Sequence, residues 1–259
     1  MKRIFVGPLL HLVYRPWIRG AENIPSSGPA ILASNHLAVI DSFFLPLMLD
    51  RELVFIGKQE YFEGRGLKGR LVAGFFRGVG TIPVDRSGGK ASEGALRTGL
   101  KRLEEDQLFG IYPEGTRSPD GRLYRGKTGV ARLALESGAP VVPVAMIDTN
   151  VAQPVGQTIP KVMRIGMVVG EPLDFSRYQG MENDRFILRS VTDEIMYAIM
   201  RLSGQEYVDV YAATQKARIA AGHPAATGDA EQPLAAAPGG RPVPDVQVPV
   251  PPEQDPPRQ

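Results

Sequence analysis

Short apolar runs alternate with longer amphipathic segments along most of this chain. The apolar runs have the length and composition of buried strands, and they fall at residues 30–34, 53–56, 81–84, 108–112, 141–147 and 163–169. Apolar residues at helical spacing predict helices at 42–49, 91–105, 130–136, 185–203 and 207–220. This alternation predicts an α/β fold, with a mixed, partly parallel sheet flanked by helices.

Both ends of the chain depart from this pattern. Residues 1–19 combine an apolar stretch with four basic residues and no acidic one. This segment is either an interfacial, membrane-associating helix, with Tyr14 and Trp17 at the headgroup level, or an apolar segment that packs on its own core. The end of the chain, 221–259, is rich in proline and alanine and cannot bury enough apolar surface to order itself. We therefore predict one folded domain at 20–220 between an N-terminal membrane segment and a disordered tail.

The stretch 58–79 also leaves two interpretations open. Its basic residues outnumber its acidic ones, and Leu67, Leu71 and Phe75 recur at helical spacing. Such a stripe packs into the core in most proteins. An amphipathic basic helix can instead lie on a membrane or bind an acyl chain.

Composition narrows the classes of protein to which this chain can belong. The apolar fraction of 43% and the charged fraction of 22% are ordinary for a globular protein. The formal net charge is +2, but the tail carries five acidic and two basic residues, which leaves about +5 on the body. Such a body suits a phosphate-bearing substrate or an acidic membrane surface, and its charge is too weak to indicate nucleic acid. The absence of cysteine excludes a thiol nucleophile and a thiolate metal site.

His36 is the histidine of the body that is available for chemistry. Of the three histidines, His11 lies in the N-terminal segment and His223 in the tail. Asp41 follows His36 by five residues, and a carboxylate beside an imidazole fixes its tautomer and stabilises the imidazolium. The same spacing also fits Asp41 as a helix N-cap and His36 as a structural histidine.

Two further polar clusters follow later predicted strands, at Asp85-Arg86 and at residues 114–117. The carboxyl ends of parallel strands converge on one crevice, where ligands bind. Arg117 offers a planar fork that matches phosphate oxygens, and Lys58 supplies a second charge. Gly115 allows the backbone to approach a ligand closely. Taken alone, residues 114–117 also fit an ordinary turn closed by a surface ion pair.

Four ordered blocks resemble those of the glycerolipid acyltransferases. They are Asn35-His36 with Asp41, residues 80–86, residues 112–118 and residues 139–144. The resemblance spans roughly residues 20–175. It is closest to the bacterial 1-acylglycerol-3-phosphate acyltransferases. The second block departs from the family pattern, because Pro83 and Val84 stand where a larger apolar residue is expected.

The resemblance implies a glycerolipid-acyltransferase-like fold and an acyltransferase domain at 20–220. It implies transfer of a fatty acyl group from acyl-CoA or acyl-carrier protein to the sn-2 hydroxyl of 1-acylglycerol 3-phosphate, giving phosphatidic acid. In this scheme His36 is the general base and Asp41 orients it. The substrate-binding residues that it implies are Lys58, Arg86, Glu114, Gly115, Thr116 and Arg117. Neither a metal nor a cofactor other than the acyl donor is required.

Several alternatives stay open at this point. The acceptor could be glycerol 3-phosphate, another lysophospholipid or a glycolipid. The chain could also be a non-catalytic lipid-binding protein or a thioester hydrolase. We expect the partners to be the acyl donor, a lysolipid and a membrane surface, with no nucleic acid. We expect the protein at the cytoplasmic face of the cell membrane, held peripherally or monotopically.

Overall fold

A sheet with helices on both faces organises the part of the chain that the computed structural model describes, residues 7–58, 62–64, 66, 69, 74, 80–84 and 91–223. The strands are β1 (Trp17–Arg19), β2 (Ala30–Ser34), β3 (Leu53–Lys58), β4 (Thr81–Val84), β5 (Leu108–Ile111), β6 (Leu123–Tyr124), β7 (Val141–Ile147), β8 (Gly166–Val169) and β9 (Tyr207–Val208). The α-helices are α1 (Gly7–Tyr14), α2 (Asp41–Leu47), α3 (Ala91–Glu104), α4 (Gly129–Ser137), α5 (Thr149–Ala152), α6 (Arg185–Ser203) and α7 (Ala212–Ala220). Short 3₁₀ turns lie at Ala21–Asn23 and Ser176–Tyr178.

Seven strands form the main sheet, in the order β1-β8-β7-β2-β5-β3-β4. The five strands from β7 to β4 pair in parallel. β8 runs antiparallel to β7, and β1 is parallel to β8. The predicted mixed, partly parallel sheet flanked by helices is therefore confirmed. A separate two-stranded sheet pairs β6 with β9.

Continuous apolar runs became strands here because both faces of the sheet are covered. Every residue of β2 is buried, as expected for a strand in the middle of a parallel sheet. Ala30 and Leu32 face a cluster that includes α1 and α2, through Tyr14 and Phe44. Ile31 faces the opposite cluster, with residues of α3, α4 and α6. The result is a three-layer arrangement of helices, sheet and helices, which holds the strands in place.

Two predicted elements differ from the structure at the C-terminal side. The strand expected at 163–169 begins only at Gly166, and the helix expected at 207–220 is split. Tyr207–Val208 pairs with Leu123–Tyr124 as β9, and helix α7 begins at Ala212. An aromatic residue followed by a β-branched one favours a strand when a partner is present, and that partner lies far away in sequence.

The N-terminal segment is tied to the sheet more closely than its composition predicts. Tyr14 is buried and packs edge-on against Phe44 at 5.1 Å between ring centroids. Trp17 begins β1, and its ring covers Gly166 of β8. Tyr14 therefore does not stand at the headgroup level, because its side chain is buried in the protein, whereas for the half-buried Trp17 that interpretation stays a prediction. Since β1 spans residues 17–19, the part outside the sheet ends before the predicted boundary at residue 19.

Several predicted features lie outside the described residues. They are most of the basic apolar stripe at 58–79, the cluster Asp85-Arg86 and the tail beyond residue 223. Within the described ranges, no helix combines the length and the apolar character needed to cross a bilayer.

Candidate functional site

The first and third sequence blocks meet at the carboxyl edge of the sheet. β2 and β5 are parallel neighbours, so the loops that follow them leave on the same side. The backbone N–H of Ser118 donates to the carbonyl of His36 at 2.7 Å. The N–H of His36 in turn donates to Glu114 Oε1 at 3.2 Å. Two segments almost 80 residues apart are thereby joined into one site.

His36 and Asp41 form a close pair at this edge. His36 Nδ1 lies 3.0 Å from Asp41 Oδ2, and the imidazole is 16% exposed while the carboxylate is fully buried. A carboxylate accepts the Nδ1 proton, which leaves Nε2 as the nitrogen with a free lone pair in the neutral imidazole. The arrangement therefore offers a proton acceptor to a molecule that enters the site from solvent.

The Asp41 carboxylate organises the loop that precedes α2. Oδ2 also accepts from the backbone N–H groups of Leu37 and Ala38, at 2.7 and 2.8 Å. Ile40 occupies the N-cap position of α2, and Asp41 is the first helical residue. The N-cap interpretation is therefore wrong, because the carboxylate turns back into the loop. Oδ1 is buried, and it has no hydrogen-bond partner within the described part of the chain.

Tyr112 holds the plane of the imidazole. Its ring stacks on that of His36 with 3.9 Å between centroids and 12° between planes. On Tyr112 itself, Phe55 of β3 stacks at 5.4 Å, and the hydroxyl lies 3.3 Å from Ser42 Oγ. Burial, with a further contribution from the Asp41 charge, raises the pKa of the phenol well above its ordinary value. The Tyr112 side chain is thus uncharged, and its stacked ring limits rotation of the His36 imidazole.

Glu114 is a buried crosslink between three segments. Its side chain is 1% exposed, and its two oxygens accept from the N–H groups of His36 and Tyr124, at 3.2 and 3.0 Å. Burial raises the pKa of the carboxyl from 4.5 to about 8, although both N–H donors and Lys216 act in the opposite direction. The role of Glu114 in binding substrate stays a prediction, and the geometry shows a side chain that orders the loop.

Replacing Glu114 by glutamine is expected to destabilise the fold by about 1–3 kcal/mol, because one N–H donor loses its acceptor. The loss should depend on pH. The folded pKa lies above the unfolded one, so the folded state holds its proton longer, and the wild type loses stability as pH rises from about 4.5 to about 8. Glutamine does not titrate. In urea unfolding, the free energy of unfolding of the wild type should therefore exceed that of Glu114→Gln by less and less as pH rises toward 8. A difference that grows with pH would contradict this account.

Three basic side chains gather around the turn at residues 114–117. Gly115 has a φ of +73°, and a Cβ there would lie 2.9 Å from Lys127 Cε, so glycine leaves room for that lysine. Lys216 Nζ, from α7, lies 2.6 Å from Thr116 Oγ1. Arg117 is half-buried, and within the described residues it makes no ion pair with a carboxylate. Among the residues that the structure describes, no carboxylate forms a direct ion pair with the positive charge of this surface.

Asn35 fixes the end of β2 against the C-terminal region. Its side chain donates to the carbonyl of Met146 at 3.1 Å and accepts from the N–H of Met146 at 2.7 Å. It also donates to Gln205 Oε1 at 2.7 Å, and Gln205 donates to the carbonyl of Gly121 at 2.6 Å. Asn35 is fully buried, so it positions the residue that follows it.

The structure brings together six of the eight predicted site residues. They are His36, Asp41, Glu114, Gly115, Thr116 and Arg117. The backbone of Lys58 ends β3 at the same edge, while its side chain and all of Arg86 lie outside the described residues. The functional roles of all eight stay predictions. In the described part of the chain, no group of three or more His, Cys, Asp or Glu residues is placed to hold a metal ion.

Sequence reasoning missed Lys127, Lys216 and the stacking role of Tyr112. Lys127 lies in a run with Arg122 and Arg125, and that concentration of charge soon after the third block was a usable signal. Lys216 gave no such signal, because it lies 100 residues beyond its partner Thr116. In the sequence Tyr112 has the character of the apolar end of a strand, so its stacking on His36 was not predicted.

Comparison with known proteins gives consistent results. A family model described as Acyltransferase matches residues 15–147. A 1-acyl-sn-glycerol-3-phosphate acyltransferase of Bacillus subtilis is 27% identical over 189 residues, which are 71% of this chain and 86% of that protein. The chloroplast protein of the same description from Brassica napus is 31% identical over 155 residues, or 60% of this chain and 43% of that protein. The match thus spans less than half the length of the Brassica protein.

One solved structure has a similar fold. The crystal structure of PlsC, a 1-acyl-sn-glycerophosphate acyltransferase from Thermotoga maritima, superimposes with a TM-score of 0.55. The match covers 77% of this chain and 81% of that chain, at 22% identity. At this identity the likeness speaks for the fold alone.

Proposed function

Since this chain belongs to the acyltransferase family, as the match of the family model to residues 15–147 shows, we propose that it transfers a fatty acyl group from a thioester to the sn-2 hydroxyl of 1-acylglycerol 3-phosphate. The observation that carries this proposal is the His36–Asp41 pair, with 3.0 Å between Nδ1 and Oδ2, beside a turn with several basic side chains. The names of the Bacillus subtilis and Brassica napus relatives support the choice of acceptor.

In the proposed reaction His36 acts as the general base. Nε2 takes the proton of the acceptor hydroxyl while that oxygen attacks the thioester carbonyl carbon. Asp41 keeps the Nδ1 proton in place and stabilises the imidazolium that forms. The buried position of the Asp41 carboxylate strengthens this stabilisation, because little water screens it.

The second half of the reaction returns the proton. The tetrahedral intermediate collapses, the carbon–sulfur bond breaks, and the sulfur leaves with the proton from Nε2. The products are the ester and a free thiol, so His36 ends the cycle neutral. Direct transfer of this kind needs no acyl-enzyme, in keeping with a chain that has no cysteine.

The basic turn supplies the acceptor's phosphate site in this proposal. Arg117 presents a fork that can bind two phosphate oxygens at once. It lies one residue before Ser118, whose N–H is bonded to the carbonyl of His36. A phosphate and a hydroxyl that are a few bonds apart in one small molecule need a cation and a base that are close neighbours. We propose acyl-CoA or acyl-carrier protein as the donor, with no further cofactor.

The test is an assay of thiol release from palmitoyl-CoA with the full chain. Three reactions would contain 1-acylglycerol 3-phosphate, glycerol 3-phosphate or no acceptor, with the lipid products identified by mass. Phosphatidic acid formed only in the first reaction is the expected result. Thiol release without an acceptor would indicate a hydrolase, and product in the second reaction alone would assign a different acceptor.

We also propose that the protein acts at a membrane surface, peripherally and at the cytoplasmic face of the cell membrane. The acceptor is a lipid, and α1 leaves Leu12 72% exposed and Val13 38% exposed. Arg15, directly after this helix, and Arg19, at the end of β1, are exposed. Exposed apolar side chains beside basic ones favour an interface with anionic lipids.

Replacing both Leu12 and Val13 by glutamate is expected to weaken binding to vesicles that contain anionic phospholipid by roughly tenfold or more, because each buried aliphatic side chain contributes about 1.5–3 kcal/mol. Cosedimentation with vesicles measures this. Phe186→Glu is the matched control, because Phe186 is 87% exposed on α6, outside the proposed surface. Equal loss in the control and in the double variant would count against α1 as the membrane contact.

A further inference from the structure

Lys216 lies on the inward side of a helix that the family match does not include. The match ends at residue 147, and α7 spans Ala212–Ala220. Ala212 and Gln215, on the same side of the helix, are fully buried, and Lys216 is half-buried where most of its neighbours in α7 are exposed. A lysine is rarely turned toward a protein interior without an anion to meet.

The position of α7 is set by the loop that follows the third block. β9 pairs with β6 immediately before α7 begins. The N–H of Arg125 donates to the carbonyls of Val208 and Val210, at 3.2 and 3.1 Å. The Arg125 side chain lies 3.6 Å from Asp209. These contacts hold the helix over the turn at 114–117 and direct Lys216 to Thr116.

The charge around Lys216 is unbalanced. Burial lowers the pKa of its ammonium group, and the positive charge of Arg117 lowers it further, while Glu114 acts in the opposite direction. Both Glu114 oxygens are engaged by backbone N–H groups. Among the described residues, neither Lys216 nor Arg117 has a carboxylate partner within ion-pair distance. Lys216 is bonded to Thr116, the residue next to Arg117, and two cations gathered at one turn form a site for an anion with more than one negative charge.

We infer that Lys216 is a specificity-determining residue that binds, together with Arg117, the phosphate monoester of the acceptor. This inference rests on the proposed function and deepens it. A phosphate monoester carries close to two negative charges at neutral pH, which matches two cations. Thr116, hydrogen-bonded to Lys216 at 2.6 Å, holds the ammonium group at the turn. The helix α7 thereby completes a site whose other parts come from the first and third blocks.

Phosphate groups on the acyl donor could bind to the same two cations, but the position of Lys216 and Arg117 near His36 favours the phosphate of the acceptor. The turn that carries Thr116 and Arg117 is bonded directly to the His36 loop. The acceptor's phosphate is only a few bonds from the hydroxyl that His36 deprotonates. The phosphates of coenzyme A are separated from the thioester by a long flexible arm. A cation pair this close to the base therefore fits the acceptor.

The first experiment measures binding without turnover. Short-chain 1-acylglycerol 3-phosphate is titrated into the full chain by calorimetry, with no acyl donor present. Lys216→Met keeps the aliphatic stem and removes the charge, and we expect it to weaken binding by about tenfold or more, as for loss of a charged hydrogen bond of about 1.5–3 kcal/mol. Lys216→Arg should restore most of the affinity. Arg117→Ala should weaken binding in the same way.

Two controls separate the phosphate contact from a general effect. Lys101→Met, at an exposed lysine on α3, should bind the ligand as the wild type does. Monoacylglycerol, which lacks the phosphate, should bind equally to the wild type and to Lys216→Met. Equal loss of affinity for both ligands would overturn the inference, because it would indicate a distorted site. Unchanged affinity for the phosphate ligand in Lys216→Met would overturn it as well.

Steady-state kinetics then distinguish the two sources of phosphate. In Lys216→Met, the KM for the acceptor should rise by more than the KM for the acyl donor. A rise confined to the donor would overturn the inference and assign Lys216 to the donor. If no phosphatidic acid forms while binding still depends on Lys216, the proposed reaction fails and the phosphate site stands. If phosphatidic acid forms and binding of the acceptor does not depend on Lys216, the proposed reaction stands and the inference about Lys216 fails.

Discussion

Replacing His36 by alanine is expected to lower the rate of acyl transfer by roughly 10²–10⁴-fold, the range over which a positioned general base contributes. The other two histidines belong to different elements of the described structure: His11 lies on α1, bonded to the carbonyl of Gly7, and His223 follows α7. The hydroxyl of a glycerol is too weak an acid to attack a thioester without a base. The assay is the production of phosphatidic acid at saturating concentrations of both substrates.

The interpretation of this result depends on a folded variant. His36 stacks on Tyr112 at 3.9 Å, so His36→Gln, which retains a planar polar side chain, should be measured in parallel. His223→Ala removes an exposed histidine and should leave the rate unchanged. Thermal unfolding reports on the fold of each variant. More than a few per cent of wild-type activity in a folded His36 variant would exclude the His36–Asp41 mechanism.

Asp41→Asn is expected to lower kcat by about 10²–10⁴-fold while the loop keeps its shape, by analogy with removal of the charge that orients a catalytic imidazole. The carbonyl oxygen of asparagine can take the place of Oδ2 and accept from the N–H groups of Leu37 and Ala38. The amide NH₂ then takes the place of Oδ1, which has no hydrogen-bond partner among the described residues. A buried donor without an acceptor costs about 1–3 kcal/mol of stability.

This substitution separates charge from geometry. If Asp41 only shapes the loop, asparagine should preserve most of kcat, and that outcome would contradict its proposed role toward His36. Asp106→Asn is the control, because Asp106 is exposed with a φ of +57°, a conformation that asparagine tolerates. Stopped assays at several pH values, with folding checked by urea unfolding, provide both measurements.

The central strands β2 and β7 were accessible to sequence reasoning because they are short and almost entirely buried, whereas β1, which is exposed in part, was not predicted. Runs such as Ala30–Ser34 and Val141–Ile147 end where their apolar stretches end. Helix α6 was equally readable, since the Asp184 side chain caps it through the N–H groups of Phe186 and Ile187 and Gly204 closes it in the left-handed region. The α/β class followed from these local signals and is confirmed, and the family resemblance, which came from the four sequence blocks, is confirmed by the family match over residues 15–147.

The rest of the site depends on contacts that leave no local trace. Lys216 and Gln205 reach their partners across 100 and 170 residues, and no periodicity marks them. Glu114 is predicted to bind substrate because it lies in a motif, and the structure adds that its two oxygens are bonded to backbone N–H groups. A motif indicates that a residue matters, but only the fold shows which atoms it contacts.

The bond between Asn35 and Gln205 has a consequence for the order in which this protein matures. Gln205, which helps to hold Asn35, is made 170 residues after it on the ribosome. Contacts of such sequence separation form late, because a long loop must close first. The loop with His36 therefore gains its full set of contacts only after Gln205 has been synthesised. A nascent chain can have a nearly complete sheet and still lack a finished active site.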